Sequence, residues 1–158
     1  MGPGEGVAPP GEAQALGARA LRVILDTNVL LSALIRVDSK PYKLVRVWLD
    51  GRFELVSSEA QLEELRRVSR YEQVRRYFAP AEIGWLVNRI RERALLVKRL
   101  PKIDVADDPG DNYLLAMAVA GEAEYLVTGD KSDLLALERY RGTQLVTVHE
   151  LVSTLKLR

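Results

Sequence analysis

Arg22-Val-Ile-Leu-Asp26-Thr-Asn28-Val-Leu-Leu-Ser-Ala-Leu-Ile35 carries two periodicities end to end. Arg22 to Asp26 is a short apolar run rich in β-branched residues, and Asn28 to Ile35 has helical character, so a strand feeds directly into a helix. The alternation continues downstream. Tyr42 to Asp50 sets Leu44, Val45, Trp48 and Leu49 on one helical face, Gly51 stops it, and Phe53-Glu-Leu-Val56 is strand-like. Ser58 with Gln61 three residues on is a capping-box pattern ahead of a helix carrying Leu62, Leu65 and Val68. Pro80 suits the first turn of another helix, with Ile83, Leu86, Val87 and Ile90 at helical spacing. Leu95 to Leu100 reads as a third strand, interrupted by Lys98 and Arg99. Asp108-Pro109-Gly110 marks a turn and helix start before Leu114, Leu115 and Ala118; Tyr125–Thr128 is a fourth strand and Leu145–Thr147 a fifth. Thr147 and Glu150 then form another capping box. Strands separated by helices pair in parallel through crossovers, so the expected fold is α/β: a three-layer α/β/α sandwich around a central, mainly parallel five-stranded sheet.

The chain of 158 residues is the size of one domain, and its 47% hydrophobic content supplies an ordinary core. Residues 1–20, rich in Gly, Pro and Ala, read as a flexible N-terminal arm, leaving 21–158 as the domain. The arm lacks the positive start and continuous apolar stretch of a secretory signal. No apolar run approaches the roughly 18 residues that span a bilayer, so no membrane association is expected. The absence of cysteine excludes thiol nucleophiles and disulfide frameworks and suits a cytoplasmic protein. The single histidine, His149, excludes a paired-histidine nuclease and a multi-histidine zinc site within one chain. Catalysis, if present, must rest on carboxylates.

Charge is segregated. Between residues 66 and 102 eleven Lys and Arg face three Glu, whereas between 104 and 138 nine acids face one Lys. Such poles suit a polyanion held by one region and metal ions by the other, although amphipathic helices also carry solvated charge. Within the basic stretch Arg75 and Arg76 are candidate RNA contacts, interleaved with Tyr71, Tyr77, Phe78 and Trp85. Trp85, next to Leu86 on an amphipathic stretch, is expected in the core or a subunit interface.

Ligands of open parallel sheets sit at the carboxyl ends of strands. Asp26 closes the first strand and Asp130 follows the fourth. Asp111 opens the helix before strand four, and Glu63-Glu64 lies in the first turns of the helix after strand two. Four acids can therefore meet at one sheet edge. Clustered carboxylates repel one another unless a cation compensates, and oxygen-only ligands point to Mg²⁺ or Mn²⁺. Such ions activate water and take up charge on a phosphate, which suits phosphodiester hydrolysis. Each acid also has an ordinary role open to it: Asp26 as a helix N-cap, Asp111 as a charge at a helix start, Asp130 as a turn residue, Glu64 as a solvent-facing helix residue.

Val23-Ile-Leu-Asp26-Thr27-Asn28-Val29-Leu30, Leu62-Glu63-Glu64-Leu65, Asp108-Pro-Gly-Asp111-Asn-Tyr-Leu-Leu-Ala-Met-Ala118 and Tyr125-Leu-Val-Thr-Gly-Asp130-Lys-Ser-Asp133-Leu134 together resemble the PIN-domain family, and within it the toxin components of toxin–antitoxin pairs. The resemblance runs from about Leu21 to Leu151. It implies catalytic roles for Asp26, Glu64, Asp111 and Asp130, with Asp26, Asp111 and Asp130 as metal ligands and Asp133 as an auxiliary acid. Asn28 and Thr128 match polar residues that orient a carboxylate or water; Asp107 and Asp108 match turn and capping positions. The family reading further implies a Mg²⁺- or Mn²⁺-dependent endoribonuclease acting on single-stranded or structured RNA, a homodimer, and a cognate antitoxin.

Two other readings compete. An aspartyl-phosphate phosphatase wants a second acid two residues after its nucleophile, where this chain has Asn28. A non-catalytic PIN-fold module would bind RNA or protein through the basic stretch, and an RNA-processing nuclease would work without an antitoxin.

Overall fold

The computed structural model describes residues 19–129 and 132–157. The expected arm therefore lies almost wholly outside the described residues, as does Asp130. The chain runs β1 (Arg22–Leu25), α1 (Thr27–Ile35), α2 (Lys40–Leu49), β2 (Glu54–Ser57), α3 (Glu59–Ser69), the short α4 (Glu72–Arg75), α5 (Pro80–Arg93) and β3 (Leu95–Leu96). A 3-10 turn, Pro109–Asp111, leads into α6 (Asn112–Gly121) and β4 (Tyr125–Thr128). A second 3-10 turn, Asp133–Leu137, precedes β5 (Arg139–Tyr140), β6 (Thr143–Thr147) and α7 (Val148–Thr154).

The sheet has the order β3-β2-β1-β4-β6-β5, parallel at every pair except β5 with β6. It thus has six strands rather than five. The extra one is the two-residue β5, joined to β6 by the Arg141–Gly142 turn with Arg141 at φ +54°. Two residues are too few to register as an alternating pattern. The third strand is also shorter than expected: pairing stops at Leu96, and Lys98 and Arg99 lie beyond it.

Side chains alternate across the sheet with period two. Val23, Leu25, Leu55, Val127 and Val146 face a layer made by α1, α2, α3, α5 and α7. Ile24, Val56, Leu126 and Leu145 face α6 and Leu134 of the second 3-10 turn. Helix α6 covers that face almost alone, which explains why Leu114, Leu115, Ala116, Met117 and Ala118 are all buried. Its last residue must be glycine: a Cβ on Gly121 would stand 2.7 Å from Val56 Cγ1. Of the aromatics in the basic stretch, Phe78 is buried, but Trp85 is 43% exposed. The core reading of Trp85 is therefore corrected: the apolar face of α5 is carried by Ile83, Leu86, Val87 and Ile90, and Trp85 falls off that stripe.

β1 pairs with β2 on one side and β4 on the other, so the chain reverses its direction across the sheet there. The crevice at the carboxyl ends of β1 and β4 is the switch point where α/β folds place their sites.

Candidate active site

The ladder between β1 and β4 continues one residue past β1, with the Asp26 N–H donating to Val127 O at 2.9 Å. This step sets Asp26 beside Thr128, whose hydroxyl donates to Asp26 Oδ2 at 2.7 Å. Asp26 is also the N-cap of α1, its Oδ1 accepting from the Asn28 N–H at 3.4 Å. The ordinary capping role and the site position thus coincide in one residue. Burial holds the Asp26 carboxyl above its usual 3.8 against the hydrogen bonds from Thr128 and the α1 backbone, and the Glu64 charge adds to the rise.

Asp111 ends the first 3-10 turn and precedes α6. Among the described residues no group donates a hydrogen bond to its half-buried carboxylate. Desolvation first, and then the charges of Asp26, Asp108, Asp133 and Glu64, push it up to about 6. The acids that raise Asp111 come from β1, α3 and both 3-10 turns, so elements from both faces of the sheet converge on one negative pocket.

Glu64 stands on α3 with an ion pair to Arg67 one turn on, while its neighbour Glu63 is exposed. Of the two, Glu64 is the acid whose charge reaches Asp26 and Asp111. Asp133 is exposed at the start of its turn and acts on Asp111 only through its field. Asp108 accepts from the Gly110 N–H at 2.9 Å, as its turn-capping position requires. Asp130 follows β4 in sequence and lies outside the described residues. Among the described residues no three acids stand close enough to hold an ion by themselves.

One residue near the acids was not singled out by the sequence, and another was given a different role. Tyr113 donates to or accepts from Thr27 Oγ1 at 2.9 Å, tying α6 to α1 across the crevice. Burial and the charges of Asp26, Glu64 and Asp111 raise its phenol well above the usual 10, so it stays protonated. A polar aromatic two residues after Asp111 was the available signal. Gln61 is fully buried, and its side chain does not complete the capping box expected with Ser58. Ser58 does accept from the Gln61 N–H at 3.2 Å. The Gln61 amide instead donates to Leu25 O at 2.7 Å and accepts from Ser57 Oγ at 2.5 Å, pinning the start of α3 to the end of β1. By contrast Thr147 and Glu150 form the full box that was expected.

Arg75 and Arg76 are exposed, and with Arg66, Arg70, Phe78 and Ile83 they line a groove of about 1150 Å³ beside α4 and α5. Arg76 stacks over the Tyr77 ring, 5.2 Å from its centroid. Glu72 lines the groove, but Asp26, Glu64, Asp108, Asp111 and Asp133 do not, so the arginine groove and the acid cluster form separate surfaces.

Comparison with known proteins agrees with this architecture. A family model described as PIN domain matches residues 22–132, and the chain belongs to the PIN-domain family. An uncharacterized protein of Methanocaldococcus jannaschii is 25% identical over 138 residues, which cover 86% of this chain and 88% of the relative. A chain in the crystal structure of VapBC2 from Rickettsia felis, bound to a DNA fragment from their promoter, superposes with a TM-score of 0.52 at 16% identity, covering 80% of this chain and 98% of the other. That likeness is one of fold. No helix among the described residues is long and apolar enough to cross a membrane.

Proposed function

We propose that this chain is a Mg²⁺- or Mn²⁺-dependent endoribonuclease and the toxin of a toxin–antitoxin pair, working in the cytoplasm as a homodimer. The observation that carries the nuclease reading is the state of Asp111: a carboxylate with no described donor, raised to about 6 among the charges of Asp26, Glu64, Asp108 and Asp133. Carboxylates so arranged want a cation. The donors are all oxygens, which fits a hard divalent ion.

Asp26, Asp111 and Asp130 would hold that ion, with Glu64 completing the acidic set. When bound, the ion would lower the pKa of water and offset charge developing on the phosphate. The chain's own groups do the positioning. Thr128 and the Asn28 N–H fix the two oxygens of Asp26. Gln61 fixes the α3 turn that precedes Glu64. The protonated Tyr113 presents a neutral hydroxyl beside the acids and adds no charge to them. Asp133 supports the negative field, and Arg75 and Arg76 would engage phosphates of bound RNA at a distance from the acids.

Purified full-length protein incubated with single-stranded RNA should cleave it with Mg²⁺ or Mn²⁺ and stop in excess EDTA. Asp26→Asn should abolish cleavage while leaving the circular-dichroism spectrum unchanged. Full cleavage by the variant, or in EDTA, rejects the mechanism. The likeness to a VapBC2 chain supports the antitoxin partner. Growth arrest on expression, relieved by a small protein encoded next to this gene, is the corresponding test.

The separation of the arginine groove from the acids favours a second reading, a module that binds RNA without cutting it. RNA binding that survives loss of Asp26, Asp111 and Asp130 together, with no cleavage under any metal, would select it.

A further inference from the structure

Successive residues of a helix point about a third of a turn apart, and the start of α1 uses this to face two ways. The Thr27 hydroxyl reaches Tyr113. Asn28 instead lines a cavity of about 350 Å³ on the other side of Asp26. Its further walls are Lys40 at the start of α2, His149 of α7, the hydroxyls of Ser32 and Thr147, and an apolar part made by Val29, Pro41 and Val148. The cavity adjoins the acids through Asn28, whose side chain lines it and whose N–H caps Asp26 at 3.4 Å. The volume is at the lower end of the roughly 300–1,000 Å³ of small-ligand sites.

Lys40 Nζ lies 2.7 Å from His149 Nδ1. An ammonium has only donors, so His149 Nδ1 is the acceptor in this contact. Among the described residues Lys40 forms no ion pair with a carboxylate, and its side chain contacts the exposed His149 at the mouth of the cavity. Its place in the helix is locally unfavourable. Lys40 is the first residue of α2, where the helix dipole disfavours a cation, and no acid occupies that first turn to offset it. Local rules are broken in this way at functional positions. An exposed lysine cation at the rim, beside a wall that Val29, Pro41 and Val148 make largely apolar, matches the next phosphate and base of a strand cut at the neighbouring acids.

We propose that the Lys40–His149 cavity seats the nucleotide adjoining the scissile bond, with Lys40 binding its phosphate and His149 positioning Lys40. The inference rests on the nuclease reading, and its tests separate the two. Lys40→Ala should raise KM for a single-stranded RNA oligonucleotide about tenfold and change kcat less than about twofold. The slope of log affinity against log salt, measured by anisotropy on the cleavage-dead Asp26→Asn background, should fall by about 0.7, the loss of one phosphate contact on a single strand. Lys40→Arg should restore most of both.

His149→Asp keeps the lysine but gives it a carboxylate partner, and should mimic Lys40→Ala if charge is what the substrate reads. Shortening the oligonucleotide by one nucleotide at a time should reach a length at which wild type and Lys40→Ala become equal, marking the unit that fills the cavity. If the pair only staples α2 to α7, Lys40→Ala will lower the melting temperature and leave KM and the salt slope unchanged, which overturns the proposal. A Lys40 effect that persists at every length down to a dinucleotide also overturns it, because Lys40 then acts through a general field. If the wild type binds RNA with a Lys40-dependent slope but cuts none with any metal, the nuclease reading falls and the subsite stands as a binding site.

Discussion

The Thr128 hydroxyl and the Asp26 carboxylate, 102 residues apart in the chain, meet in a 2.7 Å hydrogen bond at the carboxyl ends of adjacent strands. The contact exists because β1 and β4 are parallel neighbours, with Leu25 in register with Val127, so Asp26, one residue past β1, stands beside Thr128, the last residue of β4. It fixes which oxygen of Asp26 faces the pocket. Thr128→Val, nearly the same shape without the donor, should lower kcat for RNA cleavage roughly tenfold and destabilise the fold by about 1 kcal/mol. Thr128→Ser should recover most of the activity. Equal rates for the three proteins would remove Thr128 from the positioning role.

The acids work against the fold that holds them. Asp26 and Asp111 both have raised pKa values, so each ionised carboxylate is less comfortable folded than unfolded at neutral pH. Without divalent ions, Asp26→Asn and Asp111→Asn should therefore melt at a higher temperature than the wild type while cutting no RNA. Thermal denaturation in EDTA measures this. A lower melting temperature for both variants would mean that the carboxylates stabilise the fold.

Asp111 also sets a pH dependence whose sign can be worked out. Folded, it keeps its proton to about pH 6; unfolded, it releases it near 3.8. Between those values unfolding releases a proton, so this group's contribution to stability falls as pH rises. The penalty is absent below the lower value and complete above the upper one. In chelator, the stability advantage of Asp111→Asn over the wild type should grow across that window and then level off. Metal must displace the same proton, so Mn²⁺ affinity by titration calorimetry should strengthen as pH climbs through about 6. A flat affinity profile from pH 5 to 7 would count against Asp111 as a ligand.

Gly121→Ala puts a methyl group 2.7 Å from Val56 Cγ1, where β2 and the end of α6 are in contact. Overpacking of this kind costs typically about 1–3 kcal/mol. The chain should lose that stability by urea denaturation, and Val56→Ala in the same chain should return part of it. Full stability of the single variant would show that α6 shifts freely on the sheet.

What could be read without coordinates followed the strength of local patterns. β1 and β4 are β-branched runs that end at a polar residue, and their alternation placed Asp26 and Thr128 at a sheet edge. The capping pair Thr147 and Glu150 was equally legible, because its partners are three residues apart. Gln61 was misread because its partner, Leu25 O, is 36 residues away, and a buried amide looks in sequence like any surface glutamine. β5 escaped because a two-residue strand has no period. The core half of the Trp85 expectation failed because size suggests burial, whereas the direction of α5 leaves it exposed. The basic stretch was visible as composition, but only the fold separates its groove from the acids.

The Thr27–Tyr113 bond joins a helix from one layer to a helix from the opposite layer directly above the acids. A nascent chain that has packed only one side of its sheet owns Asp26 and Glu64 without Asp111, or the reverse. On the proposed nuclease reading, the acidic set is complete only once both layers are packed on the sheet.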